Sequence, residues 1–263
     1  MIVELIGCDG AGKTTLARLL AEPGVLEGRT VAMADLLLDR PGLRAITHPT
    51  AMNVAQELGG LPFLIRAYRR RRAYLAFARR MHVRYAPSRY HRLNGMRGIA
   101  RRVGMYELAR TRAADRIVLS DEGTVLSAYL FALTDVPLDR ADVELFAELV
   151  PGPDRIVYVK APIASLVERA LTRPDRRPQH AGKSRGEVER TIRRTVDVFD
   201  LVVGTSPLKD RVLVVENGGD HDSLLRLRAD LGSELLVSAS GSMVGANVVA
   251  PVASDRLHVE PRR

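Results

Sequence analysis

The residues Gly7-Cys8-Asp9-Gly10-Ala11-Gly12-Lys13-Thr14 carry the spacing G-x-x-x-x-G-K-[ST]. Each type in that pattern has a physical reason. Glycines let the backbone curl until successive N–H groups converge on one anion. Lys13 adds a mobile positive charge, and the Thr14 hydroxyl is a hard oxygen of the kind Mg²⁺ takes. A helix that begins at Lys13 turns its positive end toward the same point. The pattern predicts a polyphosphate site, with Gly7, Asp9, Gly10, Ala11, Gly12, Lys13, Thr14 and Thr15 around a bound nucleotide. Cys8 lies inside this loop. A helix N-terminus lowers a thiol's pKa, but a small filler is the simpler role.

A second constellation ends the run Arg116-Ile117-Val118-Leu119-Ser120-Asp121-Glu122-Gly123. In a parallel α/β sheet, ligands gather at the carboxyl ends of the strands. An apolar strand that stops on two carboxylates places them there. Phosphoryl transfer needs one group to hold Mg²⁺ and another to orient or deprotonate the attacking hydroxyl. We assign Asp121 to the metal and Glu122 to the base. The residue types alone allow the reverse, and an acidic helix cap is the plain alternative.

These groups need elements to hold them. Short apolar runs at 2–6, 30–34, 117–120, 156–159 and 212–215 alternate with longer segments of helical spacing. That alternation predicts a parallel sheet covered on both faces. Ser184-x-x-Glu187 is a capping box before a helix over 188–203. Asp222 caps another that is expected to stop at Gly232. The domain is expected to span 1–235, and residues 236–263, rich in Ser, Gly, Ala and Val, read as a disordered tail. A single Cys fits a reducing compartment. No run of about 18 apolar residues is present, and the first residues lack a leader's basic start. The cytoplasm is the expected location. The six His show no metal-ligand spacing.

Charge is strongly localised. Between 64 and 116, 16 Arg face only Glu107 and Asp115, a local charge of +14 against +9 for the whole chain. The segment reads as a basic helical insertion. Tyr74, Phe77, Ala78, Met81 and Tyr85 recur at helical spacing and predict its buried face. Arg69-Arg70-Arg71-Arg72 advance about 100° each, so they point all round the helix, and at least one of them should meet an anion or an acidic partner. A small acceptor bearing phosphate or carboxylate is the favoured partner. A nucleic acid is the alternative, and a membrane surface the third option.

Asp9-Gly10-Ala11-Gly12-Lys13-Thr14-Thr15 resembles the phosphate loop of the thymidylate kinase group within the P-loop nucleoside and nucleotide kinases. The resemblance runs through about residues 1 to 235 in element order, with specific residues in three patches. It implies a five-stranded parallel sheet, sandwiched by helices, with the loop's strand at its centre. It also implies ATP over GTP, Mg²⁺, and Asp9 facing the acceptor. The run 166–178 looks like the helix-to-lid passage of nucleoside monophosphate kinases. Arg169 and Arg173 share a helix face there, Pro174 and Pro178 interrupt the helix, and Arg176 and Arg177 follow. By the same resemblance Asn217-Gly218-Gly219 lies against the nucleotide base. The sequence departs from the group where Asp-Arg is usual, here Asp121-Glu122. It departs again where Arg-Glu-Pro follows the second strand, here Asp35-Leu36-Leu37, so a phosphate-holding Arg is absent at both places.

The expected activity is ATP- and Mg²⁺-dependent phosphoryl transfer to a nucleoside, nucleotide or other phosphorylated metabolite, through Lys13, Asp121, Glu122, Arg169 and Arg173. Thr14 and Asp121 are the expected metal ligands. A kinase or NTPase acting on nucleic acid, and a regulatory nucleotide-binding protein, are the rivals. The oligomeric state is left open, a dimer included.

Overall fold

The computed structural model describes residues 1–36, 48–86, 88–112, 116–134, 136–173, 180–218 and 221–239. Five strands, β1 (Ile2–Ile6), β2 (Thr30–Ala32), β3 (Ile117–Ser120), β4 (Arg155–Lys160) and β5 (Val212–Glu216), form one sheet in the order β2-β3-β1-β4-β5. Every pairing is parallel. This is the expected architecture. β1 is buried along its whole length and sits at the centre. The loop that follows it therefore opens at the carboxyl edge, where the order changes direction.

Helices α1 (Lys13–Leu20), α2 (Pro49–Tyr85), α3 (Arg89–Arg112), α4 (Arg140–Leu149), α5 (Ile163–Thr172), α6 (Arg185–Val203) and α7 (His221–Ala239) cover the sheet. The two-residue alternation of β1 divides the core. Val3 and Leu5 pack with Leu16, Leu20, Leu231 and Leu235 from α1 and α7. Ile6 packs on the other face with Tyr74, Phe77, Met81 and Tyr85 of α2 and with Phe146 and Phe199. The predicted buried face of α2 is thus its core face. The capping box also forms: Ser184 N–H donates to Glu187 at 2.8 Å, and Ser184 Oγ accepts from Glu187 N–H.

Several boundaries move. β2 stops at Ala32, because the chain turns into a 3-10 helix at Met33–Leu36. Gly232 does not end its helix, and α7 continues through it to Ala239. A Cβ there would stand 3.2 Å from Val25 Cγ1, so the glycine allows a close approach to Val25. Residues 236–239 are accordingly the last turn of α7, and 240–263 lie outside the described residues, as do Pro174, Arg176, Arg177 and Pro178. Position 64 falls inside α2, because the charge run starts halfway along a helix whose first half is nearly uncharged.

Part of the basic charge is paired with carboxylates of α2, α3 and α4. Arg70 and Arg71 both pair with the buried Glu107, and Arg71 stacks on Tyr106, 5.4 Å from the ring centre. Arg84 pairs with Asp142 at 2.8 Å, and Arg97 with Glu57 at 2.9 Å. The anion expected for the Arg69–Arg72 run is therefore a glutamate of the same chain.

Candidate active site

The phosphate loop is built by contacts that close on it from three elements. Gly7 adopts φ +140°, and a Cβ there would collide with the carbonyl oxygen of Val159 on β4. Only glycine lets the loop leave β1 so close to its neighbour. Lys13 Nζ donates to Gly7 O and Cys8 O, each at 2.8 Å, so the ammonium sits within the curl of the loop. Arg169 Nη1 donates to Gly10 O at 2.6 Å. Asn217 Nδ2 donates to Ala11 O at 2.8 Å, and its backbone N–H donates to Lys160 O. Asn217 is buried. Its side chain ties the turn after β5 to the loop's backbone. Gly219 lies outside the described residues. Thr15 stands exposed on the first turn of α1.

Cys8 is buried, and loss of hydration pushes its thiol up to about 12. Burial outweighs the positive influence of Lys13. At neutral pH the side chain is an inert small filler.

The loop meets the end of β3 where Thr14 Oγ1 donates to Asp121 Oδ2 at 2.9 Å. Two groups 107 residues apart in sequence thus form one oxygen pair. Beside them Glu122 Oε2 accepts from Arg101 Nη2 at 3.1 Å, and Arg101 also reaches Asn53 Oδ1. Among the described residues no group of three or more His, Cys, Asp and Glu is arranged as a metal cage. A hydroxyl beside one carboxylate instead suits a cation that keeps most of its ligands as water and phosphate, as Mg²⁺ does.

Two clefts flank this junction. One, of about 340 Å³, lies between the loop and α5 and is lined by Asp9, Gly10, Arg169, Arg173 and His180. Both arginines expected from the lid passage are therefore brought to the loop. The His180 ring is buried, 3.8 Å from Asp9 Oδ2, and neither nitrogen has a hydrogen-bond partner among the described residues. Burial lowers its pKa, although Asp9 pulls the other way. The second cleft, of about 260 Å³, opens between β3 and the helical pair. Met33 closes one side, Met52, Asn53 and Gln56 of α2 another, and Arg101, Arg102 and Met105 of α3 a third, with Asp121 and Glu122 at the rim. Among the described residues Arg102 Nε is buried without a hydrogen-bond partner, and desolvation lowers this guanidinium's pKa, against the pull of Glu122 and Glu4. The cationic residues of the cleft are thus Arg101 and Arg102. The Arg69–Arg72 run does not line it.

Sequence reasoning missed Glu4, which organises the rim from behind. It is 1% exposed in the middle of β1. Its carboxylate accepts from Leu126 N at 2.8 Å and Val125 N at 3.1 Å, the first residues of the 3-10 helix Val125–Ala132. Thr124 Oγ1 also approaches it, at 3.5 Å. A Cβ at Gly123 would collide with the Glu4 side chain. The turn that carries Asp121 and Glu122 is thereby locked onto the central strand. Burial raises the Glu4 pKa to about 7, with the backbone donors and Arg102 opposing. The available signal was a carboxylate inside a wholly apolar strand, which always needs a buried partner. Arg101 and Arg102 carried no signal that set them apart from the other 14 arginines of their segment.

No family model matches the chain, and no curated protein matches it. Among solved structures it is similar to a deoxyadenosine kinase from M. mycoides, at 13% identity over 90% of this chain and 100% of that one, with a TM-score of 0.47. It is also similar to thymidylate kinase from Candida albicans, at 12% identity over 91% and 92%, TM-score 0.45. A third is TT1252 from Thermus thermophilus, at 21% identity over 89% and 97%, TM-score 0.35. Likeness at this level leaves the chemistry to the site's own side chains.

Proposed function

We propose that the chain transfers a phosphoryl group from ATP to a small anionic acceptor, a nucleotide or another phosphorylated metabolite, bound in the cleft between β3 and the helical pair. The observation that carries this reading is the contact of Thr14 with Asp121. It joins the phosphate loop to a pair of carboxylates at the mouth of a cleft that holds two arginines. A binding protein needs the loop. It does not need carboxylates and a separate cationic cleft facing it.

The roles follow from the chemistry of each group. The loop's N–H groups and Lys13 hold the polyphosphate. Thr14 and Asp121 would hold Mg²⁺, which when bound neutralises charge on the phosphates. Glu122 faces the cleft from its rim and is the group to orient or deprotonate the acceptor hydroxyl. Arg169 and Arg173 lie on the other side of the loop, suited to the charge that develops on the transferred group. Arg101 and Arg102 line the cleft, and their positive charge suits an anionic acceptor there. Asp9 stands with His180 on the Arg169 side, so its role lies nearer the donor than the resemblance implies.

ATP consumption measured against nucleosides, nucleoside monophosphates, sugar phosphates and oligonucleotides tests the proposal. We expect turnover with a small phosphorylated acceptor and its loss in Lys13→Ala. Arg102→Gln should raise the acceptor KM and leave the ATP KM unchanged. A folded Lys13→Ala enzyme with full turnover, or turnover with oligonucleotides alone, refutes it.

A further inference from the structure

Arg101 of α3 joins two sides of the second cleft. Its Nη1 donates to Asn53 Oδ1 of α2, and its Nη2 donates to Glu122 Oε2 at 3.1 Å, on the turn after β3. The side chain is 12% exposed, so these contacts hold a guanidinium largely shut off from water. One turn earlier on α3, Arg97 makes the equivalent reach to α2, where Glu57 takes it with both oxygens, at 2.9 and 3.1 Å. The two clasps repeat at four-residue spacing on both helices, but their chemistry differs. Glu57 neutralises Arg97. Asn53 holds Arg101 through an uncharged amide, and among the described residues the carboxylate that pairs with Arg101 is that of Glu122. Glu122 is the group assigned above to the acceptor hydroxyl, and here Arg101 holds it by Oε2.

We propose that Arg101 is a positioning residue that withholds Glu122 until an acceptor with its own phosphate enters the cleft. This rests on the transfer proposed above, and it narrows the acceptor to a molecule that bears a hydroxyl and a separate phosphate. A phosphate dianion carries more charge than a carboxylate and matches the same fork of N–H groups. Arg101 lines the cleft beside Arg102, so a phosphate bound there draws it away from Glu122. The released carboxylate then takes the proton of the acceptor hydroxyl. The hydroxyl oxygen bonds to the γ-phosphorus, the bond from that phosphorus to the β,γ-bridging oxygen breaks, and ADP leaves with the electron pair. Water brings no charge to compete for Arg101. With ATP alone Glu122 stays held, and the ion pair protects ATP from hydrolysis while the cleft is empty.

The test requires no knowledge of the acceptor. ADP release from ATP and Mg²⁺ is measured without acceptor, with and without phosphite, a phosphate-like dianion that offers no alcohol. We expect slow release by the wild type and several-fold faster release by Arg101→Leu, with the ATP KM unchanged. Adding Glu122→Gln to that variant should return it to the slow rate. Phosphite should speed the wild type saturably and leave Arg101→Leu as it was, and sodium chloride at equal ionic strength should do nothing. A merely structural Arg101 implies the opposite sign, because a loosened rim only slows the reaction. Release by Arg101→Leu no faster than wild type, or a wild type indifferent to phosphite, overturns the inference and leaves the transfer standing where a small acceptor is still phosphorylated. If no small acceptor is phosphorylated, the transfer and this inference fall together. Should Arg101→Leu not fold, Asn53→Asp serves in its place. It gives Arg101 a carboxylate on α2, as Glu57 gives Arg97, and should likewise release Glu122 and speed hydrolysis.

Discussion

Replacing Glu4 tests whether a buried carboxylate holds the turn that carries Asp121 and Glu122. In Glu4→Leu the N–H groups of Val125 and Leu126 lose their acceptor inside the protein. Each orphaned donor costs about 1–3 kcal/mol, so the variant should lose roughly 2–6 kcal/mol where Glu4 is neutral. Ionisation changes the comparison. The Glu4 pKa lies at about 7 in the fold against an ordinary 4.5. A group with a raised folded pKa contributes stability that is full below 4.5 and is lost as pH climbs through 7. The wild type should therefore lose about 3 kcal/mol over that window that the variant does not. The gap between them is widest at and below about pH 4.5, narrows as pH rises to about 7, and levels off above that. Urea unfolding of wild type, Glu4→Leu and Glu4→Gln at half-unit steps of pH reads this directly. Glu4→Gln keeps one acceptor oxygen and cannot titrate, so it should fall between the other two at low pH. A gap that stays constant, or widens as pH rises, refutes the assignment.

Two further outcomes follow from single contacts. Asn217→Ala removes the hydrogen bond to Ala11 O and should loosen the phosphate loop, raising the ATP KM several-fold while the acceptor KM holds; an equal rise in both would mean a general loss of structure. Ser184→Ala breaks the capping box of α6 and should cost about 1 kcal/mol in denaturant unfolding, and no measurable loss would mean the cap is idle.

What the sequence made legible was short-range. The phosphate loop, the start of α1, β3 and the capping box each depend on residues within a few positions of one another, and spacing alone describes them. The apolar face of α2 was legible for the same reason. The interactions that turn these parts into a site span much longer separations: 107 residues from Thr14 to Asp121, 206 from Asn217 to Ala11, and 121 from Glu4 to Val125. No local period encodes them.

The arginines show the consequence. Read along the chain, the run Arg69–Arg72 is the most conspicuous charge, and it was expected to meet an anion or an acidic partner. In the fold Glu107 of the neighbouring helix takes two of those residues, and this is possible only because α3 returns antiparallel beside α2. The arginines of the cleft are Arg101 and Arg102, an unremarkable pair in the sequence, placed at the site by the same return. One of them is occupied by Glu122 and Asn53, and the other has a buried Nε without a hydrogen-bond partner among the described residues. Burying such a group is costly unless an anion completes it. The two arginines that line the cleft, more than the total charge of the segment, are what argue for an acceptor with a negative group.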